Sequence, residues 1–138
     1  MSAPCQTLDD QTLVAPQISP TSLPGFARTG VVVVVSHRPD DEEPGQPTAA
    51  EMADAAAAAG LRFVHIPVRG LPDAAAVTAT VAVLSALGPR ERALMYCRSG
   101  TRSAITWALA MRSLGRGEPE DLRAAAAAAG YDLSRLPL

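Results

Sequence analysis

Hydrophobic and polar positions along this chain alternate between short, wholly apolar runs and longer alanine-rich segments of helical character. Thr12-Leu13-Val14-Ala15 reads as a first strand closed by Pro16. Ser19-Pro20 sets an N-cap and a proline at the first helical position, and Pro24 and Gly25 keep that helix short. Val31 to Val35 is a β-branched run, apolar on both faces, that suits a central parallel strand covered by helices on either side. After the loop Ser36 to Pro47, Thr48-Ala49-Ala50-Glu51 forms a capping box that opens an alanine-rich helix ending at Gly60. Leu61 to Val68 reads as another buried strand, and Asp73 stands at an N-cap before a helix over Ala74 to Leu87. Arg92 to Tyr96 is the next strand, followed by a helix from near Ser103 to Leu114 and a last helix over Glu120 to Ala129, capped by Gly130. The alternation predicts an α/β fold with three layers, a mainly parallel sheet of four to five strands and helices on both faces.

A length of 138 residues is that of one domain, 1–138, in which the polar residues 1–11 read as a loose tail. A net charge of −2 argues against nucleic acid or an anionic membrane as a general partner. Met1 to Gln11 lacks the basic start and apolar stretch of a leader, and Val31 to Val35 is too short to span a bilayer, so the expectation is a soluble, cytoplasmic protein. Oligomeric state leaves no trace in the pattern. Two cysteines cannot build a disulfide framework. Cys5 falls in the tail, as a bystander or as a resolving thiol for Cys97. With only His37 and His65 available, neither a metal nor a cofactor is expected, and His65 reads as a satisfied strand histidine.

The chemistry concentrates in Ala93 to Trp107, where an apolar strand runs into Cys97, a polar loop and a new helix. A thiol at such a junction meets free backbone N–H groups and the positive end of the helix dipole, and both favour the thiolate. Arg98 and Arg102 add cationic charge, and Gly100 allows the amides of Arg98, Ser99, Thr101 and Ser103 to turn inward as an anion cradle. His37, Arg38 and Asp40 follow the carboxyl end of a strand, the edge where open α/β sheets bind ligands. Asp41, Glu42 and Glu43 read as a solvated acidic turn. Asp73 is explained by its capping role and is also a candidate general acid.

Cys97-Arg98-Ser99-Gly100-Thr101-Arg102-Ser103 resembles the active loop of rhodanese-type sulfurtransferases. The chain around it, from Leu13 through His37-Arg38-Pro39-Asp40-Asp41-Glu42, Gln46-Pro47 and His65-Ile66-Pro67-Val68 to Trp107, resembles the phosphatase-like domain found alone or fused to β-lactamase-like hydrolases and persulfide dioxygenases. That family is similar in fold to dual-specificity phosphatases and carries both phosphatase and sulfurtransferase descriptions. Cysteine phosphatases place their arginine six residues after the nucleophile; here Arg102 comes five after Cys97, and the narrower ring suits the terminal sulfur of a persulfide. The first expectation is therefore a sulfurtransferase with Cys97 as nucleophile and persulfide carrier, Arg102 stabilising its charge and Arg98 steering a small anionic sulfur donor. A persulfide-handling enzyme would be its partner. The alternative is a cysteine phosphatase acting on a small phosphorylated substrate, and a third reading is a non-enzymatic anion-binding or redox-sensing module.

Overall fold

A computed structural model describes residues 5–138. Five strands, β1 (Gln6–Asp9), β2 (Thr12–Ala15), β3 (Val31–Ser36), β4 (Arg62–His65) and β5 (Arg92–Tyr96), form one sheet in the order β1-β2-β5-β3-β4. Only β1 runs antiparallel to its neighbour; the other pairs are parallel. A 3-10 turn at Pro20–Ser22 leads into α1 (Leu23–Ala27), and α2 (Ala49–Ala58), α3 (Ala74–Ser85), α4 (Thr101–Ser113) and α5 (Pro119–Ala128) complete the chain. No helix among the described residues is long and apolar enough to cross a membrane.

The sheet separates two cores, giving the three layers that the pattern predicts. On one face Val14, Val33 and Met95 pack with Leu84 of α3, Trp107 of α4 and Leu122 of α5. On the other, Leu13, Val34 and Leu94 pack with Leu23 of α1 and Met52 of α2. Successive strand residues point to opposite faces, so both need a helical cover, and each buried Leu, Val or Met contributes about 1.5–3 kcal/mol. The register of β3 on β5 shifts between Val31 and Val33, so that Val32 and Val33 pack on the same face.

Three expectations are corrected. Residues 6–9 are not a loose tail: they form β1, whose Leu8 is buried against the first core, while residues 1–4 lie outside the described chain. Four residues bounded by polar neighbours carry too little pattern to announce a strand; pairing with β2 creates it. The segment after Gly60 is an edge strand rather than a buried one, because β4 pairs only with β3 and leaves Arg62 and His65 exposed. Finally, α4 begins at Thr101, ahead of the expected start near Ser103.

The site depends on register. Ala15 and Ser36 both pair with Tyr96, so β2, β3 and β5 end at one level. Their continuations stay joined: the His37 N–H donates to the Tyr96 carbonyl at 2.8 Å, and the Gln17 N–H to the Arg98 carbonyl at 3.3 Å. Gln17, Arg38 and Arg98 thereby converge at the carboxyl edge of the sheet.

Candidate active site

Cys97 follows the last residue of β5, and the chain turns into α4 through Arg98, Ser99 and Gly100 alone. Gly100 makes so tight a turn possible. Its φ of +97° lies in the left-handed region, and its N–H points back to donate to Cys97 Sγ at 3.1 Å. The N-cap residue Gly100 has no side chain to cap α4, the Thr101 N–H is taken by Ser99 Oγ at 3.3 Å, and among the described residues the Arg102 and Ser103 amides of the first turn have no backbone acceptor. Together with the helix dipole, these donors put a positive potential beside the sulfur.

Arg102 is held by its far end. Its Nη1 and Nη2 donate to Glu42 Oε2 and Oε1 at 2.8 and 2.9 Å, and Nη1 also donates to the Val68 carbonyl at 2.8 Å. This leaves the Nε–Nη2 edge of the guanidinium for a second, bidentate anion. Hydrogen bonding to Glu42 raises the Arg102 pKa above its ordinary value, and the charge of a Cys97 thiolate adds to this against the opposing effect of burial. The Glu42 carboxyl is correspondingly held below its usual range, first by its hydrogen bond to Arg102 and then by Arg38, despite partial desolvation.

Arg38 forms the floor of this network. It is buried and donates from Nε to Glu42 at 2.9 Å, from Nη2 to Glu43 at 2.6 Å and from Nη1 to Gln17 Oε1 at 3.0 Å. The exposed Arg98 reaches the other Glu43 oxygen at 3.3 Å. The three guanidiniums of Arg38, Arg98 and Arg102 outnumber the two carboxylates, so the cluster keeps a positive excess next to Cys97.

This cysteine loop and its anchored arginine, at the carboxyl edge of a parallel sheet, lie inside the segment that matches known proteins. The phosphatase-like domain of the beta-lactamase hydrolase-like proteins matches residues 5–114. The chain belongs to this family. A beta-lactamase hydrolase-like protein of Xylella fastidiosa (strain Temecula1) is 31% identical over 130 residues, 93% of this chain, and one of Agrobacterium fabrum is 29% identical over 128 residues, 91% of the chain. The chain spans only 30% and 29% of the lengths of those relatives. A candidate phosphatase of Neisseria meningitidis superposes with a TM-score of 0.78 at 28% identity, over 93% of this chain and 89% of that one. The kinase associated phosphatase, in a form with its catalytic cysteine replaced by serine, superposes with a TM-score of 0.72 at 15% identity, over 93% and 83% of the two chains. The fold is thus that of the cysteine phosphatases.

Within this phosphatase-like domain several expected residues take other places. His37 does not face the site. It is buried beneath the loop, with Nδ1 at 2.8 Å from Ser103 Oγ and Nε2 at 3.2 Å from Thr80 Oγ1. The Thr80 hydroxyl donates to the Ala76 carbonyl, so it accepts from His37 Nε2–H, and Nδ1 accepts from Ser103. Burial, then the charges of Arg102 and His65, lower the His37 pKa to about 3, and the ring is neutral. Ser103 therefore lends the loop its amide while its hydroxyl faces inward. Asp40 also leaves the site: its Oδ1 accepts from the Ala49 N–H at the start of α2. Ser99 and Thr101 bond one another at 3.1 Å on the exposed rim. His65 donates from Nε2 to the Arg38 carbonyl at 2.8 Å, a satisfied strand histidine.

Asp73 caps α3 as expected, accepting from the Ala76 N–H at 2.8 Å. It also lines a cleft of about 310 Å3 with Pro67, Val68, Arg69 and Leu71, next to the Val68 carbonyl that holds Arg102. Cys5, expected in a loose tail, is half-buried against the second core, and burial raises its pKa. The principal omissions of the sequence reading are Glu42, Glu43 and Gln17, which anchor the arginines, and Tyr131, whose hydroxyl reaches the Ser99 carbonyl. An acidic pair four and five residues after a strand-end arginine was the available signal; Tyr131 offered none. Among the described residues no group of three or more His, Cys, Asp or Glu is placed to hold a metal.

Proposed function

We propose that this domain hydrolyses small phosphate monoesters through a phosphocysteine at Cys97. The observation that carries this reading is Cys97 Sγ receiving the Gly100 N–H at 3.1 Å at the start of α4, with Arg102 anchored beside it by Glu42. The family and fold also favour phosphatase chemistry over the sulfur transfer placed first from the loop length. The phosphoryl oxygens take the loop amides and the Nε–Nη2 edge of Arg102. The thiolate attacks phosphorus, forming an S–P bond as the P–O bond breaks, and the electron pair leaves on the ester oxygen. That oxygen needs a proton, and Asp73 Oδ2 is the candidate donor, since Oδ1 serves the helix cap. Water then attacks phosphorus, the S–P bond breaks, and phosphate and the thiolate are released. Cys97 is wholly buried, so the substrate reaches Sγ only with a local opening of the surrounding side chains.

Sulfur transfer remains the second reading on two observations: Arg102 lies only five residues after Cys97, and Asp73 is already engaged as a cap. Sulfane-sulfur attack releases a stable thiol or sulfite and needs no acid. A single experiment separates the two. The wild type and Cys97→Ser are each exposed to a small aryl phosphate and to thiosulfate, quenched in acid and weighed intact. A phosphoryl adduct that needs Cys97 supports phosphatase chemistry. A single added sulfur, removed by cyanide, replaces that reading with sulfur transfer, and no adduct from either reagent sinks both.

A further inference from the structure

The peptide between Ser99 and Gly100 is held at both ends. Its N–H donates to Cys97 Sγ at 3.1 Å, and its carbonyl accepts the Tyr131 hydroxyl at 3.2 Å. Tyr131 comes from the segment after α5, beyond the residues 5–114 that the family's model matches. The route is well defined. Gly130, at φ +97°, ends α5 in a Schellman turn, with the Gly130 N–H bonded to the Ala127 carbonyl at 3.0 Å and the Tyr131 N–H to the Ala126 carbonyl at 2.8 Å. Leu133 and Leu136 then bury themselves in the core and tie down the chain that follows Tyr131. The ring packs against Gly100 closely enough that a Cβ there would lie 2.7 Å from the ring carbon bearing the hydroxyl.

We infer that Tyr131 is a positioning residue for the Cys97 loop, its hydroxyl orienting and polarising the Ser99–Gly100 amide so that the N–H is presented to the sulfur. Hydrogen bonds in series strengthen one another, so donation into the carbonyl makes the same amide a better donor at its other end. Burial, followed by the negative charges of Cys97 and Cys5, raises the Tyr131 pKa, so the hydroxyl keeps its proton and remains a donor. The C-terminal segment is thereby part of the site. The inference rests on Cys97 being the reactive group and is independent of whether it handles phosphate or sulfur.

The test is the rate of Cys97 alkylation by iodoacetamide across pH, followed by peptide mass mapping to separate it from Cys5, in the wild type, Tyr131→Phe and Tyr131→Ala. Phenylalanine keeps the ring against Gly100 and removes only the hydroxyl; Arg102, His37, Glu42, Glu43 and Cys5 stay in place. The expected result is a profile displaced to higher pH in Tyr131→Phe, with a rate about fivefold lower near neutrality and an unchanged melting temperature. A Phe profile that overlays the wild type, with only the Ala variant altered, assigns Tyr131 a packing role and overturns the inference. A wild type whose Cys97 does not react at any pH overturns the nucleophile reading itself, and the inference with it.

Discussion

Glu42 grips Arg102 across 60 residues of sequence, two carboxylate oxygens accepting from two guanidinium nitrogens at 2.8 and 2.9 Å. The carboxylate takes the end of the guanidinium and leaves its side edge outside the ion pair, the edge that the proposed phosphatase reaction uses. Glu42→Gln removes the charge and one acceptor. The expected outcome is a loss of about 1–2 kcal/mol of stability near neutral pH and a raised KM for a phosphate ester. Because the Glu42 carboxyl is lowered from its ordinary 4.5 in the fold, its contribution is complete above that value and disappears as pH falls through the folded value. Urea titrations of the two proteins should therefore converge in acid.

Arg102→Lys keeps the positive charge but offers one ammonium in place of the planar fork that holds Glu42 and the Val68 carbonyl and that the proposed mechanism turns toward a phosphoryl group. A fall in kcat/KM of about a hundredfold or more is expected, with the protein still folded by circular dichroism.

His37 gives the fold a second pH dependence. Its ring is neutral and its pKa is about 3 in the folded protein, against an ordinary 6.5 when exposed. Below 6.5 the unfolded chain binds a proton that the folded chain refuses, so stability falls with pH between these limits, by up to about 1.4 kcal/mol per pH unit. His37→Gln should flatten that slope while lowering stability at neutral pH, since the Ser103 and Thr80 hydroxyls lose their ring partner. Denaturation midpoints measured from about pH 7 to about pH 4 read both effects.

Gly100→Ala meets two obstacles at once. Its φ of +97° disfavours any Cβ, by about 1–2 kcal/mol, and the new atom overlaps the Tyr131 ring, for about 1–3 kcal/mol more. A lowered melting temperature together with slower Cys97 alkylation is the expected outcome.

Asp73→Asn separates cap from acid. Asparagine caps a helix about as well as aspartate, so stability should change by less than about 0.5 kcal/mol. If Oδ2 protonates the leaving group, hydrolysis of alkyl phosphates falls steeply while esters of acidic phenols, which leave without a proton, are nearly unaffected. Equal rates for both substrates in the variant and the wild type would remove Asp73 from the mechanism.

What depends on near neighbours was legible in the residue pattern. The apolar run Val31 to Val35, the Thr48–Glu51 box, the Asp73 cap and the Cys97-to-Arg102 loop are local patterns, and each appears in the structure within a few residues of its expected place. Local physics is enough there, because strand burial on two faces, a capping hydrogen bond and a helix N-terminus each involve only a few consecutive residues. The long-range partners emerge only when the chain is folded. Glu42 and Glu43 read as solvated charge until the parallel register of β3 and β5 brings their loop beside Arg98 and Arg102. His37 looks like a site residue until packing of α3 and α4 against β3 encloses it between Thr80 and Ser103. β1 exists only because β2 offers it an edge, and Tyr131 meets Ser99 only because the chain returns across the core after α5. These pairings join residues far apart in sequence, and an ionisable or hydroxyl side chain carries no local mark of whether water or a distant partner will satisfy it.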